Sequence, residues 1–146
     1  MRRILLVLPF LVACGGGETP STDSPAAAPA ALTEADVAGT WSGTLSAEGS
    51  DSVLAHWTVM IAGGAYHLTT QEAPGDTVNG TYTIAADSSN YSAGPYADPS
   101  FGGAMVVDAG TSRVSGNTLT AMGTVRLADK PDSVLMRYKA VGTRTP

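Results

Sequence analysis

Residues 117–128 read NTLTAMGTVRLA. Leu119, Ala121, Gly123, Val125 and Leu127 share one parity, while Thr118, Thr120, Met122, Thr124 and Arg126 share the other. Successive side chains of a strand point to opposite faces, so this alternation describes a strand with one dry and one wet face. The pattern recurs in TVNGTYTIAA (77–86), where Val78, Gly80, Tyr82 and Ile84 oppose Asn79, Thr81 and Thr83. It recurs again in DSVLMRYKAVG (132–142), with Val134, Met136, Tyr138 and Ala140 opposite Ser133, Leu135, Arg137 and Lys139. No stretch after residue 39 carries a helical period over three turns.

Working outward, the alternation predicts strands near 40–47, 53–62, 65–72, 77–86, 89–94, 102–108, 111–115, 118–127 and 133–143. Gly63-Gly64 and Gly116-Asn117 read as tight hairpin turns, and Pro74-Gly75-Asp76 and Lys130-Pro131-Asp132 as longer ones. SAGPYADPSFGG (92–103) reads as a loop carrying Tyr96 and Phe101. Consecutive strands with hairpin-length links predict an all-β, small antiparallel up-and-down barrel of about eight strands, because closure removes exposed edges. A β-sandwich is the alternative.

The start of the chain has another character. Met1-Arg2-Arg3 is a short positive region, and Ile4 to Ala13 is an apolar run of about ten residues. A membrane-crossing helix needs about 20, whereas a secretory leader needs about this many. Residues 15–33, GGGETPSTDSPAAAPAALT, hold three Gly, three Pro and five Ala, with Leu32 the one large apolar side chain. Burial in such a segment does not offset its ordering entropy, so it reads as a tether spanning roughly 25 Å as a flexible coil. The division is therefore a leader over 1–13, a linker over 14–33 and a β-domain over 34–146.

Leu11-Val12-Ala13-Cys14 resembles the lipobox of bacterial lipoproteins. The resemblance implies that Cys14, the only cysteine, receives diacylglycerol and becomes the amino terminus after cleavage. Acyl chains contribute about 0.8 kcal/mol per buried CH₂, and two or more give stable anchoring. The expected location is the bacterial cell envelope, anchored by lipid. Gly15 follows the cysteine rather than aspartate, which in such lipoproteins points to the outer membrane, with the domain facing the periplasm.

Residues 33–45, TEADVAGTWSGTL, resemble the first-strand region of lipocalins and their calycin relatives. The resemblance implies a short helical turn leading into Gly39-Thr40-Trp41, with Trp41 plugging the closed end of a barrel. It also implies a basic residue of the last strand packing over that Trp. Arg144 has the parity for this role and Arg137 does not.

Charge and chemistry narrow the function. The net charge is −5, and loss of Arg2 and Arg3 with the leader leaves six basic against thirteen acidic residues. With no basic cluster to neutralise a phosphate backbone, nucleic acid is not an expected partner. His56 and His67 occupy the two arms of the Gly63-Gly64 hairpin, with Gln71 opposite the first and Met60 opposite the second. They do not meet, and a zinc site needs further ligands; no metal or cofactor is expected. Gly39-Thr40-Trp41-Ser42-Gly43 lacks the following helix of a nucleophile elbow. Asp51, Asp76, Asp87, Asp98, Asp129 and Asp132 fall in turns, where aspartate bonds its own backbone. The chain does not read as an enzyme.

The dry face mixes large residues (Trp57, Tyr66, Tyr82, Phe101, Met105, Tyr138) with small ones (Gly43, Ala55, Gly80, Gly103, Ala121, Gly123). Either the large residues fill a coiled barrel, or the small ones leave a cavity. In the second case Trp57, Tyr66, Tyr82, Met105 and Tyr138 line a site for a small apolar or amphipathic ligand. In the first, the domain is an interaction or structural module that contacts another envelope protein.

Overall fold

The computed structural model describes residues 31–146. The lipobox, Cys14, the leader and most of the linker lie outside these residues. Helix α1 (Glu34–Val37) precedes strands β1 (Gly39–Ala47), β2 (Val53–Ala62), β3 (Ala65–Thr70), β4 (Thr77–Ala85), β5 (Ser88–Asp98), β6 (Ala104–Ser115), β7 (Thr118–Leu127) and β8 (Lys130–Arg144). A 3₁₀ turn, Pro99–Phe101, joins β5 to β6. Each strand pairs antiparallel with the next, and β8 returns to β1 to close the barrel. The fold is the all-β up-and-down barrel that the alternation predicts, consistent with a lipocalin-like architecture. Its sheet closes, and its core assembles, within residues 31–146.

The hairpin about Gly63-Gly64 pairs Ala62 with Ala65 and Met60 with His67, as expected. His56 likewise stands opposite Gln71, as expected, at the start of the β3–β4 link. Its carbonyl accepts the Gln71 N–H, and its ring lies 2.9 Å from Glu72 Oε1. Hydrogen bonds from the His56 ring and from the His56 N–H hold the Glu72 carboxyl below its usual range.

Four expectations need correction. Lys130-Pro131-Asp132, read as a turn, opens β8, and the turn falls at Ala128-Asp129. Residues 89–115 form two strands rather than three, because β6 runs unbroken through Ala109-Gly110. SAGPYADPSFGG is strand as far as Asp98, followed by the 3₁₀ turn. Met105 lies on the outer face, 50% exposed, and does not line the lumen. The turn ends at Gly102 and Gly103, both at positive φ, so β6 begins at Ala104 and directs its even-numbered residues inward. A one-residue change of phase moves every side chain to the other face.

A β-bulge has the same effect in β5. Tyr91 and Ala93 face inward opposite Gly110 and Asp108, and the register then slips so that Tyr96 faces Val106. The extra residue shifts the inward parity from odd to even. Tyr96 and Asp98 thereby join the inner wall.

Helix α1 covers one end. Thr33 donates through Oγ1 and N–H to Asp36 Oδ2 at 2.6 and 2.8 Å, fixing the first turn. Those bonds hold the Asp36 carboxyl below its usual range. Val37 is 1% exposed, and its carbonyl accepts the Trp41 indole N–H at 2.8 Å. Glu34 accepts hydrogen bonds from the Gly63 N–H, at 3.0 Å, and from the Tyr82 hydroxyl. The Leu32 N–H bonds the Ala86 carbonyl at 2.8 Å, so the chain enters along this end. Trp41 is fully buried, with the Arg144 guanidinium 4.3 Å from its ring centre. Arg144 also donates to the Ala38 and Asp36 carbonyls, satisfying backbone groups that the short helix leaves free. Gly39, Trp41 and Arg144 thus lie together at the α1 end.

Candidate functional site: the barrel lumen

The open end lies opposite α1, where the β1–β2, β3–β4, β5–β6 and β7–β8 links gather. Behind it is a cavity of about 640 Å³. That volume falls in the range of small-molecule sites, about 300–1,000 Å³.

Pairing of aromatics with glycines keeps this space open. Tyr66 stands opposite Gly80, Tyr91 opposite Gly110 and Tyr138 opposite Gly123. Each ring leans across its glycine, where an added Cβ would overlap it. Trp57 lies over Gly142 in the same manner, with Gly43 between them in the register. The rings therefore lie along the wall instead of crossing the lumen. The glycines serve the aromatics, and the barrel is not filled.

Most of the wall is apolar: Leu45, Val59, Ile61, Leu68, Leu119 and Met136 line the cavity. One polar group lies among the tyrosines. Tyr138 donates its hydroxyl hydrogen to Asp108, with Oδ1 at 2.7 Å and Oδ2 at 3.0 Å. The Tyr91 hydroxyl is 2.8 Å from that of Tyr138. Tyr138 has one hydrogen to give, so with Asp108 ionised Tyr91 donates to Tyr138, and a directed relay runs Tyr91 to Tyr138 to Asp108. Burial pushes the Asp108 carboxyl up to about 6; the Tyr138 hydrogen bond opposes this, and the charge of Asp98 adds to it. Burial and the Asp108 charge raise the Tyr66, Tyr96 and Tyr138 phenols, and burial foremost raises Tyr91. Tyr66 and Tyr91 meet edge to face, with centroids 6.2 Å apart.

Of the expected lining residues, Trp57, Tyr66, Tyr82 and Tyr138 face the cavity, and Met105 does not. Tyr82 lies toward the α1 end, in contact with Glu34. Trp57 is buried, and its indole N–H has no hydrogen-bond partner among the described residues. Asp108, Tyr91 and Tyr96 were not expected at the site. With a break assumed at 109–110, Asp108 falls at a strand end and attracts no attention. Read as one strand, β6 places Val106, Asp108, Gly110, Ser112 and Val114 on a single parity, and an aspartate on a dry face is the signal. Ser112 bonds Ser89 at 2.7 Å, both buried, farther along the lumen.

No protein-family model matches the chain, and no curated protein or solved structure is significantly similar to it.

Proposed function

We propose that the protein is a lipid-anchored binding module of the bacterial cell envelope that holds a small apolar or amphipathic molecule in its barrel. The observation that carries this reading is the cavity of about 640 Å³, apolar over most of its wall and furnished with a few convergent polar groups. Capture needs no covalent step. In this reading the lipid on Cys14 and the tether hold the barrel near the membrane, and the chain enters at the α1 end, opposite the mouth. A role in contacting an envelope protein would draw on exposed loop residues, and Tyr96 in the 92–103 segment is not one of them. Tyr96 belongs to the inner wall.

The test uses residues 31–146 and the neutral dye N-phenyl-1-naphthylamine. Saturable enhancement of dye emission at one site per barrel is expected. An Ala121→Phe variant, which fills the lumen, is expected to abolish it while retaining the fold. Dye emission that does not saturate, or that ignores Ala121→Phe, overturns the proposal.

A further inference from the structure

Three carboxylates line the cavity, those of Asp76, Asp98 and Asp108, and no Lys, Arg or His among the described residues joins them. Asp76, in the β3–β4 link, and Asp98, at the end of β5, stand at the mouth. Asp108 lies deeper. Walls of one sign in a low-dielectric cleft focus the field and concentrate ions of the opposite sign.

Asp108 also lacks a countercharge. A carboxylate offers about four acceptor positions, and its described side-chain hydrogen bonds all come from a single phenol, that of Tyr138. A charge removed from water is costly unless it is paired. Tyr138 and Tyr91 adjoin it through the hydroxyl relay, and the phenols of Tyr66 and Tyr96 lie within reach of its charge. An ammonium group meets all of these conditions. It neutralises the carboxylate through a charge-assisted hydrogen bond, and tyrosine faces attract it through their quadrupoles. Phenolic oxygens can accept its remaining hydrogens. A neutral alcohol would leave the charge unpaired, and a carboxylate ligand would be repelled at the mouth and again inside.

Within the binding function proposed above, on which this inference rests, we infer that the barrel selects an apolar amine. Its protonated nitrogen sits on Asp108 among the tyrosines, and its hydrocarbon body lies against the apolar wall.

The experiment titrates residues 31–146 with octylamine, octanol and octanoate by calorimetry at pH 7.5. The three share a chain length and differ in head group. Octylamine is expected to bind at least 30-fold tighter than octanol, with octanoate weakest. Asp108→Asn is expected to cost octylamine ten- to a hundred-fold and to change octanol less than threefold. Lowering the pH to 5 protonates Asp108 while octylamine stays charged, so amine affinity should fall about tenfold in the wild type and stay level in Asp108→Asn. The groups facing Asp108 across this window are the phenols of Tyr66, Tyr91, Tyr96 and Tyr138, together with the Asp98 carboxyl.

Equal binding of octanol and octylamine overturns the amine preference and leaves the binding function standing. Tighter binding of octanoate does the same. Failure of all three probes, together with failure of the neutral dye, overturns both. Should Asp108→Asn not fold, the probe ratios and the wild-type pH series decide the question.

Discussion

Tyr138 gives its one hydroxyl hydrogen to Asp108, at 2.7 Å from the nearer carboxylate oxygen, and takes one from Tyr91 in return. The pair comes from β8 and β6, two strands that do not touch in the sheet order, and it meets across the β7 glycine Gly123. A larger residue at 123 would separate them. Backbone economy at one position thus places an acid and a phenol in contact inside an otherwise apolar barrel.

Burial of Asp108, which the Tyr138 hydrogen bond only partly offsets, predicts a pH-dependent stability. The Asp108 carboxyl is raised from 3.8 to about 6 in the folded protein. Between these values the native state binds more protons than the unfolded one, so stability falls as pH rises through the window. The loss is complete above about pH 6 and is on the order of 3 kcal/mol. Asp108→Asn should therefore be more stable than wild type at pH 7, by about 1–3 kcal/mol, with the advantage vanishing near pH 4. Urea unfolding at the two pH values measures it.

The two buried tryptophans should respond differently to the same substitution. Trp41 donates its indole N–H to the Val37 carbonyl, whereas the Trp57 N–H has no partner among the described residues. Trp41→Phe loses a hydrogen bond and leaves a buried carbonyl with one partner fewer. Trp57→Phe removes an unsatisfied donor, which offsets part of the lost ring contact. Trp41→Phe is expected to cost about 1–2 kcal/mol more than Trp57→Phe. Equal costs would show that the hydrogen bond contributes nothing.

Arg144 acts through shape as well as charge. Its planar fork reaches two carbonyls, those of Ala38 and Asp36, while lying over the Trp41 ring. Lysine keeps the charge but cannot hold both carbonyls in that plane. Arg144→Lys is expected to lower stability by about 1–2 kcal/mol, and Arg144→Ala by more. Hydrogen exchange should show the loss first in α1 and at the start of β1.

Gly80 tests the pairing of aromatics with glycines. An added methyl at this position overlaps the Tyr66 ring. Gly80→Ala must push Tyr66 toward the lumen, at a cost of about 1–3 kcal/mol. A smaller cavity should follow, visible as weaker uptake of the neutral dye. Unchanged stability and uptake would mean the ring has another place to go.

The sequence shows the fold where the alternation is strict, and the reason is physical. In β4, β7 and most of β8 each residue's parity equals its face, so the pattern NTLTAMGTVRLA maps directly onto the wall. Around the β5–β6 connection that identity fails. The bulge after Ala93 and the 3₁₀ turn at Pro99–Phe101 each shift the phase, which hides Tyr96 in the wall and turns Met105 outward. Parity carries no record of an inserted residue. The place of Asp108 is hidden for a related reason, because Ala109-Gly110 resembles a break in the sequence, whereas the Tyr91 ring occupies the space beside Gly110. Trp41 and Arg144 were legible through the resemblance of residues 33–45 to the lipocalin first-strand region, which implied a buried Trp41 with a basic residue of the last strand over it.

The binding function depends above all on a lumen that admits a ligand. Native mass spectrometry of residues 31–146, purified without detergent from a bacterial host, tests this most directly. An added mass at one per barrel is expected, disappearing on organic extraction to leave a protein that takes up N-phenyl-1-naphthylamine more fully. A bare chain mass, from a folded protein that also ignores the dye, would contradict it.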